Sequence, residues 1–117
     1  MKVIIAGGRT FKDYELLRKV CTALLCQIPK VEITVLCGMA KGADELGYKF
    51  AQEFGLTVMP FPADWVEHGR KAGYLRNRQM EQEATHLIAF WDYKSKGTSN
   101  MIDLMRKSNK PVHIERY

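Results

Sequence analysis

The chain has 117 residues, of which 46% are hydrophobic and 26% charged, and its formal net charge is +5. That length sets the expectation of one domain, residues 1–117, with a core that needs neither disulfide nor metal staples. No apolar run approaches the roughly 20 residues of a spanning helix, and glycines close the run in MKVIIAGGRT too early for a signal peptide. The expected location is therefore the cytoplasm, away from membranes.

Cys21, Cys26 and Cys37 sit in apolar surroundings, lack CxxC spacing and read as buried reduced thiols. His68, His86 and His113 lack ligand spacing, so neither a metal nor a cofactor is expected. The cations are dispersed among acids, with no basic run interleaved with aromatics. Such a surplus suits a pocket for a small phosphorylated ligand better than a nucleic-acid groove.

In chain order, KVIIAG from Lys2 predicts a buried strand closed by glycine. Tyr14, Leu17, Cys21, Leu24 and Ile28 recur at steps of three and four, which predicts a helix with Asp13 as N-cap and Pro29 beyond its end. EITVLCG is a second strand. GADELGYKFAQEFG is a helix with Leu46, Phe50 and Phe54 inward and Gly55 as its stop. LTVMPF is a third, shorter strand. PADWVEHGRKAG predicts a long irregular loop, ordered around Trp65 and of the length that usually serves function. YLRNRQMEQEA is a helix, HLIAFW a fourth strand, TSNMIDLMRKSN a fourth helix and KPVHIER a fifth strand. This alternation implies an α/β domain with a mostly parallel five-stranded sheet and helices on both faces. Ligands of such sheets sit outside the carboxyl ends of the strands.

Four loops lie there. In AGGRTFKD, Gly7 and Gly8 permit close backbone approach and Arg9 offers a planar cationic fork. In CGMAKGADE, Gly38 ends a strand and Gly42 opens a helix whose free N–H groups could attract an anion. Asp44 there is either an acid complementing the helix dipole or an acceptor for a ribose or base. In YLRNRQM, Arg76 and Arg78 stand near a helix start, where the dipole disfavours cations. The last loop places Asp92 at a strand tip and Ser95, Gly97 and Thr98 at a helix start. An N-cap explains the hydroxyls but neither Gly97 nor Asp92. Trp65 and Trp91 read as core or pocket wall. No Ser/His/Asp order, nucleophile elbow or HExxH occurs.

GGRTFKDY, CGMAKGADE, FPADW, GRKAGYLRNRQM, FWDYKSKGTSNMI and KPV together resemble the SLOG superfamily and, within it, the small YspA/YpsA-related proteins. The resemblance implies a Rossmann-like three-layer fold that binds a nucleotide or nucleotide-derived ligand, a sensing or processing role, and a homodimer. It also gives weight to Arg76 and Asn77 as site residues. Relatives include the lysine-decarboxylase-like phosphoribohydrolases that release cytokinin bases, with signatures RKxxM and PGGxGTxxE. Here RNRQM places Arg76 at that arginine, and SKGTSNM keeps Gly97 and Thr98. Met101 stands where the glutamate should be, and PGG is absent. Cleaving an N-glycosidic bond needs charge stabilisation and water activation, and methionine provides neither.

The expected function is recognition of a nucleotide-like ligand, with phosphate at Gly97–Thr98, Arg9 and Arg76 nearby, and Gly38, Gly42 and Asp44 shaping the other side. The alternative is an enzyme acting at a nucleotide N-glycosidic or ribosyl bond. Its acid would be Asp92 or Asp44, with Asp64 and Glu67 behind them. A third reading, a nucleic-acid accessory protein, draws on a related fold in a DNA-uptake protein that binds single strands. The charge permits it and the missing basic stripe argues against it.

Overall fold

The computed structural model describes all 117 residues. The strands are β1 (Lys2–Gly7), β2 (Thr34–Cys37), β3 (Thr57–Pro60), β4 (His86–Trp91) and β5 (Val112–Arg116). The helices are α1 (Tyr14–Leu25), α2 (Ala43–Glu53), the single-turn α3 (Trp65–His68), α4 (Ala72–Glu83) and α5 (Lys96–Lys107), with 3₁₀ turns at Lys30–Glu32 and Gly69–Lys71.

All strand pairs are parallel and the order is β3-β2-β1-β4-β5. The chain lays β2 and β3 on one side of β1, then crosses to place β4 and β5 on the other. In register, Val3 faces Val35 on one flank and His86 on the other. The loops after β1 and β4 therefore diverge, and they leave a crevice at the carboxyl ends of these two strands.

The period of two sorts the strand residues into two cores. Val3, Ile5, Val35, Ile88 and Phe90 pack against α1 and α2 through Leu17, Cys21, Phe50 and Ala51. Ile4, Ala6, Leu36, Leu87 and Ala89 pack against α4 and α5 through Met80, Met101, Ile102 and Met105. The protein is a Rossmann-like α/β domain with helices on both faces. Each fully buried Leu, Ile or Phe contributes about 1.5–3 kcal/mol by leaving water.

Two local expectations hold. Asp13 caps α1, its Oδ1 accepting from the Leu16 N–H at 3.0 Å. Gly55 ends α2 with φ of +66°, a left-handed stop that suits glycine.

Others shift. On α1 the buried side chain is Leu25, 6% exposed, and not Leu24, at 43%. The buried row runs Leu17, Cys21, Leu25 at steps of four. β3 is a half-exposed edge strand. Of the three thiols expected to be buried, Cys21 and Cys37 are, whereas Cys26 is exposed because it lies just past the end of α1, off its buried row. The stretch 62–73 is not irregular throughout: α3 and a 3₁₀ turn occupy 65–71, with the Asp64 carboxylate capping α3 at the Glu67 N–H. α5 begins at Lys96, earlier than the TSN start. Arg76 lies in the second turn of α4, which opens at Ala72, so the helix dipole opposes it little.

Candidate functional site

The crevice at the switch point is a cleft of about 420 Å³. The loop after β1 contributes Gly7, Gly8, Arg9 and Thr10, and α2 contributes Asp44. Trp65 and Arg70 enter from the stretch before α4, and Gly73, Tyr74, Arg76 and Asn77 from α4 itself. The loop after β4 and the start of α5 bring Asp92, Ser95, Gly97 and Thr98, and Ala6, Ala40, Met80 and Met101 complete the lining. Of the twelve expected site residues, the cleft brings together all but Gly38 and Gly42. Gly38 lines an adjoining lobe and Gly42 neither space. Asp64 and Glu67 line neither.

Gly42 is a packing residue. Its φ is +79°, and an added Cβ would meet the Gly8 carbonyl oxygen and lie 2.6 Å from the Arg9 carbonyl carbon. The α2 start it opens is partly satisfied from within. The Gly42 N–H donates to Glu45 Oε1 at 3.1 Å, the Ala43 N–H to Gly8 O at 3.2 Å, and the Ala40 N–H to Asp44 Oδ2 at 3.2 Å. With Asp44 and Glu45 in its first turn, this helix start repels an anion.

Gly38 makes room for two side chains. A Cβ there would lie 2.6 Å from Asp44 Oδ2 and 2.7 Å from Arg76 Nη1. Arg76 Nη1 donates to the Gly38 carbonyl oxygen, and its Nε donates to Asn77 Oδ1 at 3.0 Å. Asn77, 5% exposed, passes the connection on. Its Nδ2 donates to Gly97 O at 3.1 Å and to Asn100 Oδ1 at 3.0 Å. The arginine and asparagine thus brace the tip of β2 against the start of α5. Asn77 reaches the candidate phosphate position through the Gly97 backbone.

The two cleft carboxylates live in opposite environments. Asp44 is 6% exposed. Burial pushes its carboxyl above the usual range, against the pull of Arg76, the Ala40 N–H and Arg9. Burial likewise lowers the Arg76 guanidinium, with Asp44 opposing. Asp92 is half-buried, and its Oδ1 accepts from the N–H groups of Ser95 at 2.8 Å and Lys94 at 2.9 Å. Those two bonds hold its carboxyl below the usual range. Its place at the strand tip is explained by this turn, which sets the path of the chain into α5.

The α5 start differs from that of α2. Ser95 precedes it, but no side chain caps its N–H groups and no acid sits in its first turn. Thr98 Oγ1 donates to Ser95 Oγ at 3.1 Å, and Trp91 Nε1 donates to Ser95 O at 3.0 Å. Trp91 thereby supports the loop from behind rather than lining the cleft. A Cβ added at Gly97 would meet nothing within 4 Å, so packing does not account for this glycine. Arg9 reaches into the same cleft with its guanidinium 5.8 Å from the Trp65 ring centre.

A family profile described as the YspA, cpYpsA-related SLOG family matches residues 1–68. The chain belongs to that family. The Gene 61 protein of Mycobacterium phage D29 is 32% identical over 117 residues, covering 95% of this chain and 93% of that protein. Among solved structures, DNA processing protein A (DprA) from Streptococcus pneumoniae superposes with a TM-score of 0.78 at 16% identity. The superposition covers 97% of this chain and 49% of that one, so the chain spans about half of DprA. The protein TM1055 superposes with a TM-score of 0.67 at 22% identity, covering 95% of this chain and 71% of that one. Both likenesses concern the fold.

In this SLOG-family cleft the methionine in the glutamate's place, Met101, is 1% exposed and lies with Met80 in the apolar packing between α4, α5 and the sheet. It presents no carboxylate. Arg70, Gly73, Tyr74 and Thr10 also line the cleft, and the sequence reading did not single them out. Arg70 falls in the stretch read as a functional loop. Tyr74 precedes the arginine motif by two positions and carried no signal of its own. No group of three His, Cys, Asp or Glu side chains is placed to hold a metal, and no helix is long and apolar enough to cross a membrane.

Proposed function

We propose that the cleft is a recognition site for a nucleotide or nucleotide-derived ligand, with its phosphate on the start of α5. The observation that carries this is Gly97. It stands at an uncapped helix start, its Cβ position is empty, and it lines the same cleft as Arg9 and Arg70. A helix start with free N–H groups attracts anions, and a glycine lets a phosphate approach the backbone closely. Trp65 and Tyr74, each about half exposed, offer aromatic faces to a base. Asp44 has one carboxylate oxygen engaged by Ala40. The other is available to accept from a ribose hydroxyl.

The second reading is hydrolysis at the N-glycosidic bond, and one observation selects its acid. Burial keeps Asp44 protonated to higher pH than a free carboxyl, as a proton donor requires. Asp92 is held ionised by two backbone N–H groups and suits that role poorly.

Incubation with nucleoside monophosphates, dinucleotides and cyclic nucleotides tests both readings when melting temperature and free-base release are followed together. A ligand at a hundred times its Kd stabilises by about 2.7 kcal/mol. Stabilisation without turnover supports recognition. Base release that disappears in Asp44→Asn supports hydrolysis. Absence of any shift, alongside salt-sensitive binding of single-stranded DNA, would sink both. It would direct attention to the chemistry suggested by the name of DprA, a DNA processing protein.

A further inference from the structure

We propose that the ligand is two-headed: a nucleotide in the main cleft, joined through phosphate to a second anionic unit in a lobe beside it. This rests on the nucleotide reading above and names the ligand class. The second lobe, of about 450 Å³, shares Arg9, Ala40, Trp65 and Arg76 with the first, so the two lie side by side. Each volume lies within the range of a small-ligand pocket. A mononucleotide fills one and leaves the other to water.

The second lobe is built at the same edge of the sheet. Gly38, Met39 and Lys41 come from the loop after β2, and Pro62 and Ala63 from the loop after β3. Its chemistry differs from that of the main cleft. Asp44 and Asp92 line the main cleft beside its arginines, whereas no carboxylate lines the second lobe. Its cations are Arg9, Lys41 and Arg76, over an apolar floor of Met39, Pro62, Ala63 and the Trp65 ring. Arg76 is committed to Gly38 and Asn77, but Arg9 and Lys41 make no salt bridge. Two unpaired cations over an apolar floor, with no acid between them, match an anionic group carried on a planar or apolar body.

Met39 adds an independent mark. Its φ is +60° and its side chain is 52% exposed. A non-glycine residue in the left-handed region whose side chain is not held by packing is the kind of strain that collects at binding sites. Arg9, which faces Trp65 and lines both lobes, stands where a bridging phosphate would pass.

Calorimetry on the intact protein decides this with two ligand series: the four nucleoside 5′-monophosphates and the corresponding symmetrical dinucleoside pyrophosphates. For the preferred base, the pyrophosphate should bind at least ~10-fold tighter than the monophosphate, which is the effect of one added anionic contact set. Ala63→Phe, which fills the lobe, should remove most of that gain while leaving monophosphate affinity within about twofold. Lys41→Ala should do the same, and because Lys41 is exposed it does so without a burden on folding. Equal affinities in the two series, or a gain that survives both variants, overturns the second lobe while the nucleotide reading stands. Failure of both series to bind overturns the nucleotide reading and this inference with it.

Discussion

Two helix starts in this molecule look alike in sequence and differ in space. Each follows a strand by a short polar loop with a glycine, Gly42 before α2 and Gly97 in the first turn of α5. At α2 the Gly42 and Ala43 N–H groups are spent internally on Glu45 and the Gly8 carbonyl, two acids stand in the first turn, and the glycine is demanded by the backbone of Gly8 and Arg9 pressing on it. At α5 the N–H groups are uncapped and the glycine is pressed by nothing. A glycine that packing requires carries little information about ligands. A glycine that packing does not require, inside a cleft, points to one.

The largest expected effect breaks the comparison at α2. Gly42→Ala combines a left-handed φ with overlap against backbone that cannot yield, and should destabilise by about 3 kcal/mol. Urea denaturation would show this as a lower midpoint with an unchanged slope. A midpoint at the wild-type value would mean that the α2 start is not closed as described.

Next is the brace between the two sites. Arg76→Ala leaves Asp44 without its nearby cation and frees Asn77 from one of its bonds, with an expected cost of about 2 kcal/mol. Adding Asp44→Asn should recover part of that cost, and a double-mutant cycle reads the coupling. Strict additivity would show that the two side chains act separately. Any ligand-binding loss in Arg76→Ala must then be separated from the loss of stability, since this arginine holds Gly38 in place.

Gly97→Ala is smaller and of opposite sign. With open space for its Cβ and a helical backbone, alanine should stabilise the fold by about 0.5 kcal/mol. The same substitution should weaken binding of any phosphate ligand, read by calorimetry. Stability and binding moving in opposite directions is the signature of a glycine kept for a ligand; unchanged binding would remove the basis for placing a phosphate there.

The pH dependence sharpens the contrast between the two carboxylates. The folded-state pKa of Asp44 is raised by burial. Its contribution to stability is therefore full below its unfolded value, about 3.9, and is lost as pH rises through the folded value. Asp92 is lowered by its two backbone bonds, so its contribution is present above the unfolded value and is lost as pH falls through the folded one. Melting curves of Asp44→Asn and Asp92→Asn between acid and neutral pH should differ from wild type with opposite slopes. Slopes of one sign would contradict the opposite environments assigned to them.

The family to which the chain belongs was legible because its motifs in this sequence are dense in glycine and charge at strand ends. Loop chemistry of that kind survives as a pattern even when its geometry is unknown. The Arg76–Asn77 pair was legible as a pair but not in its role. Sequence marks both as polar on a helix, while their hydrogen bonds run to Gly38 and Gly97, residues 38 and 20 positions away. Tyr74 and Arg70 were not legible, because an exposed side chain has no periodicity to betray it. Leu25 rather than Leu24 faces the core because the sheet fixes how α1 is rotated.

The sequence by itself determined the alternation of strand and helix, the parallel sheet and the location of the cleft-lining loops at the strand tips. These follow from the period of the apolar residues and from where glycines interrupt it, both local properties of the chain. Only the tertiary structure decided which of two similar helix starts stays open and which glycine is free of packing. It alone also decided that one acid is buried beside an arginine while another is held in a turn. Those outcomes depend on which distant backbone groups fill the space around each residue, and only the folded chain brings those groups together.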